Sequence, residues 1–154
     1  MIDGAVIGLE ELFRRLEQPS WTARAKACEQ VANLYCDGLL EQDYRQRAED
    51  AFRSLCADSE ALIRRLLAEC LKSVASLPTD IALSLANDRP DIAAPFLLAS
   101  PVLSDEDLVT IIRDRSGSHR AAIAKRANLS PRVVEAMGDH SLKDASDPAL
   151  RRAV

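Results

Sequence analysis

Apolar residues in the first half of the chain recur every three to four positions, the spacing that places them on one face of a helix. Leu9, Leu12, Phe13 and Leu16 mark a first helix, which Pro19 ends. Ser20 is placed to cap a second, whose face is Trp21, Ala25, Cys28, Ala32 and Tyr35 before Gly38 terminates it. Tyr44, Ala48, Ala51, Phe52 and Leu55 define a third. Ser59 is the expected cap of a fourth, and its face, Ile63, Leu66, Leu67, Cys70, Leu71 and Val74, is the cleanest helical stripe in the chain.

Beyond Ser76 the pattern shortens, because prolines at 78, 90, 95, 101, 131 and 148 cut the chain into segments of roughly eight to ten residues. Leu77, Ala82, Leu85 and Asp88 recur 26 positions later as Leu103, Leu108, Ile111 and Asp114, and the first three recur again as Leu129, Val134 and Met137. In that register Ser104 and Ser130 are equivalent N-caps, the first with Asp107 at the capping-box position and the second followed by Pro131. Each unit carries a second short helix, expected over 91–99 and 118–127, with Pro95 tolerated near the first turn. Such helices are marginal alone. Four buried apolar side chains contribute about 6 to 12 kcal/mol against a backbone ordering cost of about 9 to 18 kcal/mol for nine residues. Neighbours on both sides are therefore needed, and a repeated two-helix unit supplies them by stacking.

Composition narrows the picture. The six aromatic residues are too few to build the core, which falls to Leu, Ala, Ile and Val and suits helices better than a sheet sandwich. A net charge of −4 argues against a protein whose whole surface binds nucleic acid. The start has no basic region preceding an apolar one, and the longest uncharged run, 92–104, is too short and too broken by proline to span a bilayer. A cytoplasmic location is the default expectation.

Asp58, Ser59, Ile63, Arg64, Leu67, Ala68 and Leu71 form a pattern that resembles the helix signature of HEAT-like repeats. The stretches around 88–114 and 116–140 look like leucine-rich-variant repeats. Together "RRLLAECL", "LPTDIALSLAND", "SPVLSDEDL" and "AIAKRANLS" are similar to the bacterial family known as domain of unknown function 2336, most specifically over 58–137. The resemblance implies an α-helical repeat fold and brings no catalytic residue, cofactor or substrate. Members of that family are often longer, and "ALRRAV" ends the chain inside an apparent helix, which suggests continuation in a larger protein. In such repeats an arginine like Arg64 ties adjacent units through a carboxylate, for which Asp58 is the nearest candidate.

Candidate chemistry is sparse. No GxSxG, HExxH, P-loop or GxGxxG is present. His119 and His140 read as surface residues, one in a first turn and one beyond a helix end. The four cysteines have no CxxC pairing and no histidine at ligand spacing, so Cys28, Cys56 and Cys70 read as small core hydrophobes and no metal is expected. Asp105, Glu106 and Asp107 complement a helix dipole. Trp21, Tyr35 and Tyr44 sit at core spacing rather than as interface anchors.

The clearest asymmetry is electrostatic. Residues 113–132 hold six basic side chains against Asp114 alone, a local charge of +5 that leaves −9 on the remainder. Arg120, Lys125 and Arg126 are the candidate binding residues, a strip for an acidic or phosphorylated segment. The expectation is a single domain with an all-α, right-handed α-solenoid fold, longer helices over 1–76 and short repeats over 77–154. Its expected role is a non-enzymatic scaffold or adaptor that binds another protein, without cofactor and without a membrane. A nucleic-acid-binding module using the same strip is the alternative, and a self-associating array a third.

Overall fold

A computed structural model describes the backbone of residues 2–146 and the side chains of residues 8–140. The chain is all-α: nine helices and no strand occur among the described residues. They are α1 (Ile2–Leu16), α2 (Trp21–Cys36), α3 (Gln42–Leu55), α4 (Ala61–Leu71), α5 (Thr79–Ala86), α6 (Pro90–Ala99), α7 (Asp105–Asp114), α8 (Gly117–Ala124) and α9 (Pro131–Ser146).

Contacts fall almost entirely between near neighbours. The even-numbered helices form one layer in which α2 packs on α4, α4 on α6 and α6 on α8, and odd-numbered helices lie against them. One continuous core runs between the layers, from Phe13 and Leu16 through Tyr35, Phe52, Leu67, Leu85 and Phe96 to Ile112, Ile123 and Val133. Short helices such as α5 and α8 are stable here because Ile81, Ala82, Leu85 and Ala86 in one, and Ala122 and Ile123 in the other, are buried by adjoining elements.

Local signals explain most helix ends. The Ser20 hydroxyl accepts from the Ala23 amide at the start of α2. At α7, Ser104 and Asp107 exchange hydrogen bonds of 3.1 and 3.0 Å in a capping box. Ser130 accepts from Val133 ahead of α9, with Pro131 in the first turn. Gly38, at φ +68°, turns the chain after α2, a backbone conformation that favours glycine.

Several expectations are corrected. Ser59 does not cap α4; the helix starts at Ala61, and the Asp58 carboxylate accepts from the Glu60 amide instead. Val74 lies past the end of α4. Pro95 sits well inside α6 rather than near its first turn. The second short helix ends at Ala124, and α9 spans 16 residues, so the second half is not uniformly short. In α9 the inward valine is Val133, fully buried, while Val134 is 53% exposed, so the third copy of the repeat slips by one position. Trp21 is 45% exposed: as the first residue of α2 it precedes the stretch covered by neighbouring helices. Tyr35 does pack in the core, edge-on to Phe52 at 5.2 Å.

Candidate functional site

The even-numbered helices are stitched along one edge by arginines at the fourth position of a helix. Arg24 of α2 donates to the Gln18 and Pro19 carbonyls ahead of its own helix and, at 2.9 and 3.2 Å, to both oxygens of Asp58. Arg64 of α4 repeats this, donating to the Asp58 carbonyl and, at 2.8 and 3.3 Å, to both oxygens of Asp88. The carboxylate partner of Arg64 is therefore Asp88 and not Asp58, which is taken by Arg24. Both acids stand just ahead of a helix N-terminus, where the backbone dipole also favours negative charge. Because each clasp joins one helix start to the next, α2, α4 and α6 begin along a common edge.

His119 extends this edge and is buried, at 5% exposure, contrary to its expected place on the surface. Its Nε2 lies 2.8 Å from the Asp88 carbonyl and its Nδ1 2.8 Å from the Ser116 hydroxyl. A carbonyl only accepts, so Nε2 donates to it, while Nδ1 and the Ser116 hydroxyl share the second hydrogen bond. Asp88 thus receives α4 through its side chain and α8 through its backbone. His140, expected beyond a helix end, lies half-buried inside α9.

The three candidate binding residues do not stand together as equals. Arg120 occupies the fourth position of α8, as Arg24 and Arg64 do in their helices, and donates to the Arg115 carbonyl ahead of its own helix. Arg126 folds back onto the end of α6, donating to the Leu97 and Ser100 carbonyls at 2.5 and 2.8 Å. Burial pushes its guanidinium down from its usual range, with the charge of Asp105 opposing. Lys125, at the end of α8, is exposed.

Lys125 closes one end of a groove of about 280 Å³ between α6 and α8, lined by Ala94, Pro95, Leu98, Ser118, Ala121 and Ala122. Leu98 is 44% exposed there. These apolar lining residues were not singled out by the charge pattern. The signal that marks them is the run "IAAPFLLA", which is apolar around the whole helix although only Ile92, Ala93, Phe96 and Leu97 face the core.

The cysteines are poor nucleophiles. Burial pushes the Cys28 and Cys56 thiols up to about 12, and raises those of Cys36 and Cys70. The exposed Cys36 thiol points 3.3 Å from the Cys70 carbonyl. No group of three or more His, Cys, Asp or Glu side chains suited to a metal ion occurs among the described residues. No helix among them is long and apolar enough to cross a membrane.

Residues 92–152 match the model of a family described as "Uncharacterised protein conserved in bacteria (DUF2336)". The match takes in α6 to α9, and with them the groove, Lys125 and Arg126. No curated protein and no solved structure matches the chain significantly.

Proposed function

We propose that the chain is an α-solenoid of HEAT-like helical hairpins, right-handed as the repeat resemblance implies, serving as a non-enzymatic scaffold that binds another protein. The observation that carries this reading is the outer face of the even-numbered layer around the α6–α8 groove, where apolar side chains lie open beside cations. A preformed, braced surface lowers the ordering cost of binding, which is what stacked repeats contribute to affinity. A contiguous open apolar patch on a small protein marks a partner site more often than a single exposed side chain does, and Leu98, 44% exposed, stands at this one.

Lys125 is the member of the expected strip best placed to meet an acidic or phosphorylated partner. Arg120 and Arg126 contribute to its positive surroundings while bracing the fold. A nucleic-acid reading rests on the same surplus of cations over 113–132, and its phosphate contacts would make binding fall steeply with salt.

The test is affinity capture from nuclease-treated native bacterial lysate, comparing wild type with Lys125→Glu after matching their thermal midpoints. A discrete protein retained by wild type and lost in the variant supports the scaffold. Capture that depends on leaving nucleic acid in the lysate, and is displaced by heparin, overturns it in favour of the nucleic-acid reading.

A further inference from the structure

The outward faces of the four even-numbered helices differ. Five residues after the arginine position, α2 presents Glu29 and α4 Glu69, whereas the equivalent places hold Leu98 on α6 and Lys125 on α8. A solvated face has no need to lose its acids at one pair of helices. The groove lies at that change, floored by small side chains that let another backbone approach closely.

Charge changes at the same place. Arg24 and Arg64, on the first two of these helices, are each paired with a carboxylate. At the end of the groove, Lys125 extends from α8, and the next residue, Arg126, satisfies two carbonyls without a carboxylate bonded to it. Two cations stand there, and most of the lining is apolar. Aromatic side chains on which nucleic-acid bases could stack are absent from the lining.

We propose that the α6–α8 groove takes a short peptide of a partner protein, in which an aliphatic side chain lies over Ala94, Pro95, Leu98 and Ala121 and a neighbouring Asp or Glu pairs with Lys125. The proposal rests on the scaffold reading and goes further by naming the site and the chemistry of its occupant. The aliphatic group supplies the burial, and the carboxylate fixes the direction in which the peptide lies.

The experiment is selection of a displayed library of random twelve-residue peptides against the full chain, followed by titration of the enriched peptides. Ala121→Glu fills the groove with a repelling charge, Lys125→Glu reverses its end, and Leu62→Glu on α4 is the control. Ala121, Lys125 and Leu62 are all exposed, so the three variants are expected to fold, which their thermal midpoints check. The expected result is a consensus of Asp or Glu within two positions of Leu, Ile or Val, with affinity falling at least tenfold in Ala121→Glu and in Lys125→Glu but less than twofold in Leu62→Glu. Exchanging the peptide's acid for Lys should abolish binding to wild type and partly restore it to Lys125→Glu.

No enrichment, a consensus without acids, or binding indifferent to Ala121→Glu overturns the proposal. So does concentration-dependent dimerisation that Ala121→Glu removes, which would make a second copy the occupant. So does single-stranded DNA that binds with the same dependence on Lys125. If lysate capture succeeds while peptide selection fails, the scaffold stands and this site falls; failure of both removes the scaffold as well.

Discussion

Arg64 and Arg126 both join consecutive helices of the even-numbered layer, but by different chemistry. Arg64 meets a carboxylate through two parallel hydrogen bonds in a site where both side chains are about 15% exposed or less. Arg126 meets only backbone carbonyls at the end of a helix. Arg64 is neutralised where it braces, and Arg126 is held by backbone oxygens alone. Neutralised arginines brace, whereas a cation left without a carboxylate braces and still projects a field. That difference separates a clasp that only braces from one that also keeps its charge uncompensated by a bonded carboxylate.

Breaking the first kind of clasp should have the largest effect. Arg64→Ala strands the Asp88 carboxylate and the Asp58 carbonyl, and should lower stability by about 3 kcal/mol, read by urea denaturation. Because Asp88 also receives His119, a double-mutant cycle between Arg64→Ala and His119→Ala should show non-additivity. Arg126→Met keeps the aliphatic stem and exposes the end of α6, costing about 2 kcal/mol. If it instead leaves stability unchanged, Arg126 does not brace the fold, and the contrast between the two clasps fails.

Ser104→Ala removes the capping box of α7 and should cost about 1 kcal/mol, with hydrogen exchange rising first in that helix. Acid sharpens the comparison by a smaller amount. Hydrogen bonds from Arg47 and Arg53 hold the carboxyls of Glu10 and Asp80 below the usual range. Groups depressed on folding contribute stability that is present above their unfolded values near pH 4 and is lost as pH falls through the folded ones. Amides of α1 and α3 should therefore lose protection before those of α7, an order that Glu10→Gln with Asp80→Asn would erase. Smallest of all, Trp21→Ala should change stability by less than about 1 kcal/mol. The lone indole should accordingly be quenched readily by acrylamide.

Periodicity exposed much of this fold because a helix with one buried face writes its spacing directly into the sequence. The stripes of α1, α3 and α4, and the caps at Ser20, Ser104 and Ser130, are local features and were legible. Errors arose where tertiary geometry decides. Trp21 has the right spacing for the core of α2 but stands at its first position, where no neighbour covers it. His119 looked like a surface residue because one unit alone shows neither its burial nor the Asp88 carbonyl 31 positions away. The same blindness assigned Asp58 to Arg64, since nearness in sequence stood in for the step from one helix start to the next. Counting cations found the basic region around Lys125 but not its division of labour, because a formal charge does not reveal whether its hydrogen bonds are already spent.

The clasps of Arg24, Arg64 and His119 all lie where helices of one layer begin. Under bending, such a molecule is not symmetrical: the stitched edge resists opening, and the far ends of the same helices have more room to part. Thermal motion should therefore run chiefly as a fanning about that edge, as pages turn about a spine. Widening between α6 and α8 is then opposed chiefly by Arg126, whose hold on Leu97 and Ser100 sets how far that leaf can open.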